Sequence, residues 1–271
     1  CSNDTGINHP IQEELTMEAI LEAQGLCKHY AVSKEEKISV LKDIDLKVEK
    51  GEFVAIMGQS GSGKSTLLYN ISGMEQKSSG RVYFCGKDIS DLNDKEMSHL
   101  RLTRMGFVFQ HSHLLKNLSI RDNIILPAYK AALKSKTEVS KDADALMMKL
   151  GIDKVGNHDI TRVSGGQLQR AAICRALINQ PMILFCDEPT GALNSAASIE
   201  VMNILNAVNR EGTTILLVTH DVKVAARADR VIFLTDGRIE AEFIIGKYNE
   251  NGSEDRKREE LLLDWLTKRG F

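Results

Sequence analysis

Long apolar runs are the first thing this sequence lacks. Its uninterrupted apolar stretches, such as MILFC and ILLV, fall far short of the roughly 18 to 20 residues that span a bilayer. No segment is therefore expected to cross a membrane as a helix. An excess of one charge is missing too, since 35 Lys and Arg face 37 Asp and Glu for a formal net charge of -2. That balance leaves no electrostatic footprint for a polyanion, and no nucleic-acid partner is expected. Cysteine is scarce: five residues, an odd number, with no C-x-x-C pair and long irregular spacings. Neither a disulfide framework nor a zinc site fits that pattern, so no zinc is expected and the thiols read as reduced and buried in a cytoplasmic protein. Residues 1–16, CSNDTGINHPIQEELT, lack the basic start and apolar core of a secretory signal and read as a flexible leader, with Met17 opening the fold. Internal repeats and low-complexity tracts are also missing.

What is present is enough apolar material for a full core. The chain has 271 residues, 42% hydrophobic and 27% charged, which suits one large domain or a domain with a subdomain. Five near-continuous apolar runs alternate with helical patterns: FVAIM (53–57), MGFVFQ (105–110), MILFCD (182–187), TILLVTH (214–220) and RVIFLTD (230–236). Runs of that kind are strands covered by helices on both faces, hence an α/β fold with a mostly parallel sheet. Between about Ser119 and Val163 helical patterns continue without a convincing strand, which marks a helical insertion. The last stretch, residues 246–271, turns amphipathic, with Leu262, Trp265 and Leu266 at helical spacing. It reads as a helix packing on its own domain, with a partner-facing or self-associating tail as the alternative.

Directly after FVAIM comes Gly58-Gln59-Ser60-Gly61-Ser62-Gly63-Lys64-Ser65-Thr66, which fills G-x-x-x-x-G-K-[ST] in a strand, loop, helix setting. Glycines let the backbone wrap a polyphosphate so that successive N–H groups and the positive end of the following helix point at it. Lys64 is expected to reach the β- and γ-phosphates, Ser65 to offer its hydroxyl to Mg²⁺, and Thr66 with neighbouring amides to meet the α- and β-phosphates. The strand MILFC would deliver Asp187 to the carboxyl edge of the sheet, where a carboxylate can complete the Mg²⁺ shell. Glu188, one residue on, leaves the strand in another direction and is placed to polarise the attacking water.

A second motif narrows the reading. Residues 163–178, VSGGQLQRAAICRALI, lie just ahead of the MILFCD strand. Ser164 and Gln167 fit a capping box, but Gly165 and Gly166 cost a helix start about 1 kcal/mol each against alanine. A glycine pair there makes sense if something must approach the backbone closely, and bare amides at a helix start suit a γ-phosphate. With VSGGQ in place of the usual LSGGQ, the sequence resembles the ATP-binding-cassette family over about residues 18–245.

The resemblance implies a phosphate-loop nucleotide-hydrolase core, an N-terminal antiparallel β subdomain and an inserted helical subdomain at about 112–178, all within a cassette of 17–245. It also implies that Ser164, Gly165, Gly166 and Gln167 meet ATP held by a second copy, so that two cassettes sandwich two nucleotides head to tail. Gln110 looks like the glutamine that senses Mg²⁺ and water, His220 like the switch histidine on the γ-phosphate, and Tyr30 like the aromatic residue that stacks on adenine. An ordinary core tyrosine is the alternative for Tyr30.

Within the family, MGFVFQHSHLLKNLSIRDNIILP and DEPTGAL look most like lipoprotein-releasing, macrolide-exporting and antimicrobial-peptide-resistance cassettes. Such cassettes are peripheral subunits on the cytoplasmic face of the membrane that drive a separate transmembrane permease. Asn194 departs from the pattern, because relatives carry an aspartate there that bridges subunits. Asparagine keeps the size and loses the charge. That departure keeps open a nucleotide-dependent signalling scaffold with weak hydrolysis. A soluble, non-transport cassette ATPase is a further reading, although doubled cassettes, a long coiled-coil insertion and zinc-binding cysteines are absent from the sequence.

Overall fold

The computed structural model describes residues 19–31, 33, 37–249 and 255–271. The expectations for residues 1–16 and for Met17 lie outside the described residues. The chain enters through a long antiparallel pair, β1 (Ala19–Ala31) and β2 (Lys37–Glu49). Alternation along β2 buries Leu41, Ile44, Leu46 and Val48 and exposes the charged residues between them, the mark of a sheet wet on one face. The fully buried β3 (Phe53–Met57) then runs through the phosphate loop into α1 (Lys64–Ile71). Two short strands, β4 (Ser79–Phe84) and β5 (Lys87–Asp88), complete an antiparallel sheet of order β2-β1-β4-β5.

After α2 (Asp94–Arg104) and β6 (Met105–Phe109), three helices follow without a strand between them: α3 (Ile120–Ala131), α4 (Lys136–Lys149) and α5 (Gly165–Leu177). Arg121 on α3 ties this group together, with Nη2 3.0 Å from Asp144 Oδ1 and 2.7 Å from Ser140 Oγ on α4. The chain returns to the main sheet through β7 (Ile183–Asp187), α6 (Ser195–Arg210), β8 (Thr214–Val218), the short α7 (Val222–Ala225), β9 (Arg230–Thr235) and β10 (Arg238–Ile244), and the last helix is α8 (Asp255–Thr267).

The main sheet has the order β10-β9-β3-β8-β7-β6, parallel from β9 to β6 with β10 antiparallel at one edge. Alternate residues of β3 feed two separate cores. Phe53, Ala55 and Met57 pack among α3 to α8, whereas Val54 and Ile56 pack with α1, α2 and the antiparallel sheet. Both faces are thus covered, which is why these strands are apolar throughout. The strands stop slightly sooner than their apolar runs suggest, leaving Gln110 and His220 just beyond β6 and β8.

Residues Leu262 and Leu266 of α8 are fully buried, each contributing about 1.5 to 3 kcal/mol by burial, and Trp265 stacks on Phe243 at 5.2 Å. Arg258, also buried, donates from Nε to the Ala226 carbonyl (2.8 Å) and from Nη2 to those of Ala228 (2.8 Å) and Gly246 (2.9 Å). The amphipathic stretch is therefore packed on its own domain.

Candidate nucleotide site

Strand register gathers the chemistry. Phe109 pairs with Asp187, Asp187 with Val218, and Val218 with Ile56, so four parallel strands end side by side. Their next residues emerge along one edge, the place where open α/β sheets bind ligands. Lys64, Gln110, Asp187, Glu188 and His220 are brought to that edge, as their positions after the strands require.

The phosphate loop is built close against the sheet. At Gly58, with φ 152°, an added Cβ would lie 2.1 Å from the Leu234 carbonyl, so no other residue fits. Gly63, at φ 100°, occupies the cap position of α1, and no side chain caps that helix. By contrast α2 to α7 each start on a side chain that accepts from a first-turn amide, namely Asn93, Ser119, Ser135, Ser164, Asn194 and Asp221. The first-turn amides of α1 keep their positive end uncovered, and no acidic residue stands in that turn. Lys64 Nζ lies 2.8 Å from the carbonyls of Gly58 and Gln59, inside the loop. Burial lowers its pKa, while Glu188 and Asp187 pull the other way. Ser62 Oγ is buried and has no hydrogen-bond partner among the described residues.

Across from the loop, Ser65 Oγ donates to Asp187 Oδ1 at 2.9 Å and the Tyr69 hydroxyl donates to Oδ2 at 2.5 Å. Burial, then the bond to Asp187, raises the Tyr69 phenol pKa well above its usual range. Glu188 has a left-handed backbone, φ 49°, a conformation that costs a non-glycine residue on the order of 1 kcal/mol. Its side chain takes a different set of partners from Asp187: Oε1 is 2.7 Å from His220 Nδ1, and Oε2 accepts from Thr219 Oγ1 at 3.3 Å. Gln110 packs its amide over Gly191, with Nε2 3.0 Å from where a Cβ would stand there. Tyr30, next to last in β1, is 38% exposed and so is not a core tyrosine. Its hydroxyl donates to Glu75 Oε2 at 2.8 Å, and Lys28 Nζ, paired with Glu75 at 2.9 Å, sits 4.8 Å over the ring.

The glycine pair sits elsewhere. Ser164, Gly165 and Gly166 line a hollow with Arg170, Leu193 and Asn194 that contains no phosphate-loop residue. The capping box forms as expected: Ser164 Oγ accepts from the Gln167 amide (3.3 Å) and Gln167 Oε1 from the Ser164 amide (2.9 Å). The box leaves the amides of Gly165 and Gly166 without a cap. A Cβ on Gly166 would press within 3.1 Å of Ala197 Cβ, so packing against α6 already favours a glycine there. A Cβ on Gly165 would meet only Leu193 at an ordinary 3.8 Å, and nothing among the described residues requires glycine there.

The ABC transporter family model matches residues 41–191, more than half of the chain, from before the phosphate loop to just past Glu188. The chain belongs to the ABC transporter family. It is an ATP-binding, ATP-hydrolysing cassette of that family. The cassette is 43% identical over 225 residues to the macrolide export ATP-binding/permease protein MacB 1 of Aeromonas hydrophila, covering 83% of this chain and 34% of that protein. It is 41% identical over 223 residues to MacB of Pasteurella multocida, with 82% and 34% covered. The cassette thus spans about a third of the length of these relatives. Among solved structures, the dimeric post-hydrolysis state of the ATP-binding cassette MJ0796 with ADP and Pi superposes with a TM-score of 0.78 at 37% identity, over 84% of this chain and 100% of that one. The structure of cbiO1 from Clostridium perfringens, part of the ABC transporter complex cbiONQ, gives 0.76 at 29% identity, over 93% and 96%.

Three features of the cassette were not legible beforehand. Tyr69 stands four residues after Ser65 on α1, so both reach Asp187 from one helix face; that spacing was the available signal. Asn194 caps α6, accepting from the Ala197 amide at 2.9 Å, a job asparagine and aspartate do equally well. The thiols are only partly as expected. Cys174 and Cys186 are buried, and burial pushes Cys174 up to about 12, but Cys27 and Cys85 are half-buried, and Cys1 lies outside the described residues.

Proposed function

We propose that two copies of the cassette close head to tail on two ATP molecules and that hydrolysis drives a transmembrane permease carried on a separate subunit. The observation that carries this reading is the separation within one copy. Lys64, Ser65, Asp187, Glu188 and His220 share a sheet edge, whereas the uncapped amides of Gly165 and Gly166 open on another hollow. The dimeric post-hydrolysis structure of the MJ0796 cassette supports a paired arrangement.

Each group then has a distinct task. The first-turn amides of α1 and the Lys64 ammonium hold the phosphates, with Tyr30 presenting its ring to the adenine. The hydroxyl of Ser65 and the carboxylate of Asp187, already in hydrogen-bond contact, are hard oxygen donors of the kind Mg²⁺ takes, with Gln110, one residue past the Phe109–Asp187 pair, as a further oxygen donor. When bound, Mg²⁺ neutralises charge on the β- and γ-phosphate oxygens. Glu188 takes the proton of the water whose oxygen attacks the γ-phosphorus, and ADP leaves. The 2.7 Å contact to His220 supports a role for the imidazole in orienting Glu188, with the γ-phosphate as its second partner. Gly165 and Gly166 of the other copy close the site from the opposite side.

The macrolide-export names of the relatives support an exporter or extracting system for lipoprotein, peptide or drug, working at the cytoplasmic face of the membrane. No helix among the described residues is long and apolar enough to cross a membrane. A groove of ≈ 400 Å³ next to Gln110, with Met74, Phe107, Phe109 and Pro127 among its lining, offers mixed apolar surface for the permease. ATP turnover of the native chain beside Asn194→Asp and Glu188→Gln tests the reading. Native turnover should exceed that of Glu188→Gln by about 10² or more. Equal rates in the two would reduce the cassette to a nucleotide-dependent scaffold.

A further inference from the structure

Gln169 was given no role by its place in the sequence. It lies on α5, one turn beyond Gly165, and is 2% exposed. Its Nε2 donates to two carbonyls, that of Phe109 at 2.9 Å and that of Pro189 at 2.8 Å. A primary amide has two N–H bonds, so one group serves both acceptors at once. Those acceptors are not arbitrary. Phe109 immediately precedes Gln110, and Pro189 immediately follows Glu188. The ladder between β6 and β7 ends at the Phe109–Asp187 pair, after which the two chains leave the sheet separately. A side chain from a third element bridges them at the point where backbone pairing ceases.

We infer that Gln169 is a positioning residue for ATP hydrolysis: its carboxamide sets the spacing between Gln110 and Glu188 and links that spacing to the helix that begins with the glycine pair. Gly165 and Gln169 are four residues apart and lie on one stripe of α5. A helix is stiff over one turn, so a shift of the α5 start on contact with a second copy displaces the bridge, and with it the two loops. Glutamine alone meets both demands of the site. Asparagine is one methylene too short to span both carbonyls, and glutamate, although the same shape, has no N–H to give them.

The inference rests on the roles proposed above for Gln110 and Glu188, and its test separates the two. Gln169→Met, Gln169→Glu and Gln169→Asn would be compared with the native chain and with Glu188→Gln for ATP affinity, kcat, half-saturating Mg²⁺ and Tm. The expected result is ATP affinity within about twofold of native, kcat lower by between about tenfold and 10²-fold, and a higher half-saturating Mg²⁺, with the smallest loss in Gln169→Asn. Native kcat and Mg²⁺ dependence in folded variants, even with a lowered Tm, would make Gln169 a packing residue and overturn the inference. If Met and Glu at this position fail to fold, Gln169→Asn decides between the same two results. Native turnover in Glu188→Gln would instead refute the role of Glu188 and leave Gln169 positioning a group that hydrolysis does not need, which also overturns the inference.

Discussion

Two helix starts, those of α1 and α5, are both rich in glycine and both suited to phosphate, yet they are built in opposite ways. The start of α1 has no side-chain cap and carries a lysine within it. The start of α5 is closed by a capping box and carries no charge in its first turn, so that two glycine amides are left uncapped. An uncapped terminus with a cation binds a polyanion by itself. A half-satisfied, neutral terminus adds selective hydrogen bonds to something already held. The difference teaches that affinity and closure can be divided between two places on one chain, and under the proposed pairing a second copy puts them together.

Four substitutions sharpen or break this comparison. The largest effect belongs to α1. Lys64→Ala removes charged hydrogen bonds from the ligand and should raise the Kd for ATP by about 10- to 150-fold in equilibrium binding of the monomer, without needing a second copy. Comparable affinity in the mutant would mean that the loop amides alone are the binding site. Next comes α5. Gly165→Ala has room inside its own chain and should leave Tm unchanged or raised, yet lower turnover by about tenfold because the methyl meets the opposing copy. Gly166→Ala, pressed against Ala197, should have the lower Tm of the pair. Unaltered turnover in Gly165→Ala would show that no second copy approaches there. The smallest effect is expected at the cap beside the α5 hollow. Asn194→Asp keeps the bond to the Ala197 amide and adds a negative charge at a helix start, so chemical denaturation should show a gain of about 0.3 to 1 kcal/mol.

The phosphate loop, the five main strands and the residues that follow them could be read from the chain because each depends on neighbours in sequence. Ser164 and Gln167 are of that local kind, and their capping box is present as the S-x-x-Q spacing indicates. Gly166, Tyr69 and Gln169 are different. Their partners are Ala197, Asp187 and the Phe109 and Pro189 carbonyls, which come close only when α5, α6 and the sheet are packed. Asn194 shows the reverse error of emphasis. Its missing charge drew attention, while its cap bond, indifferent to that charge, needed the first turn of α6 to be seen.

The buried guanidinium of Arg258 reaches past the surface of its own helix. The Ala226 carbonyl it grips closes α7, and α7 begins two residues after His220. Helix α8 thus acts as a strut behind the turn that follows the histidine. A chain cut before Asp255 would retain every recognisable motif and still hold its imidazole on a loosened floor.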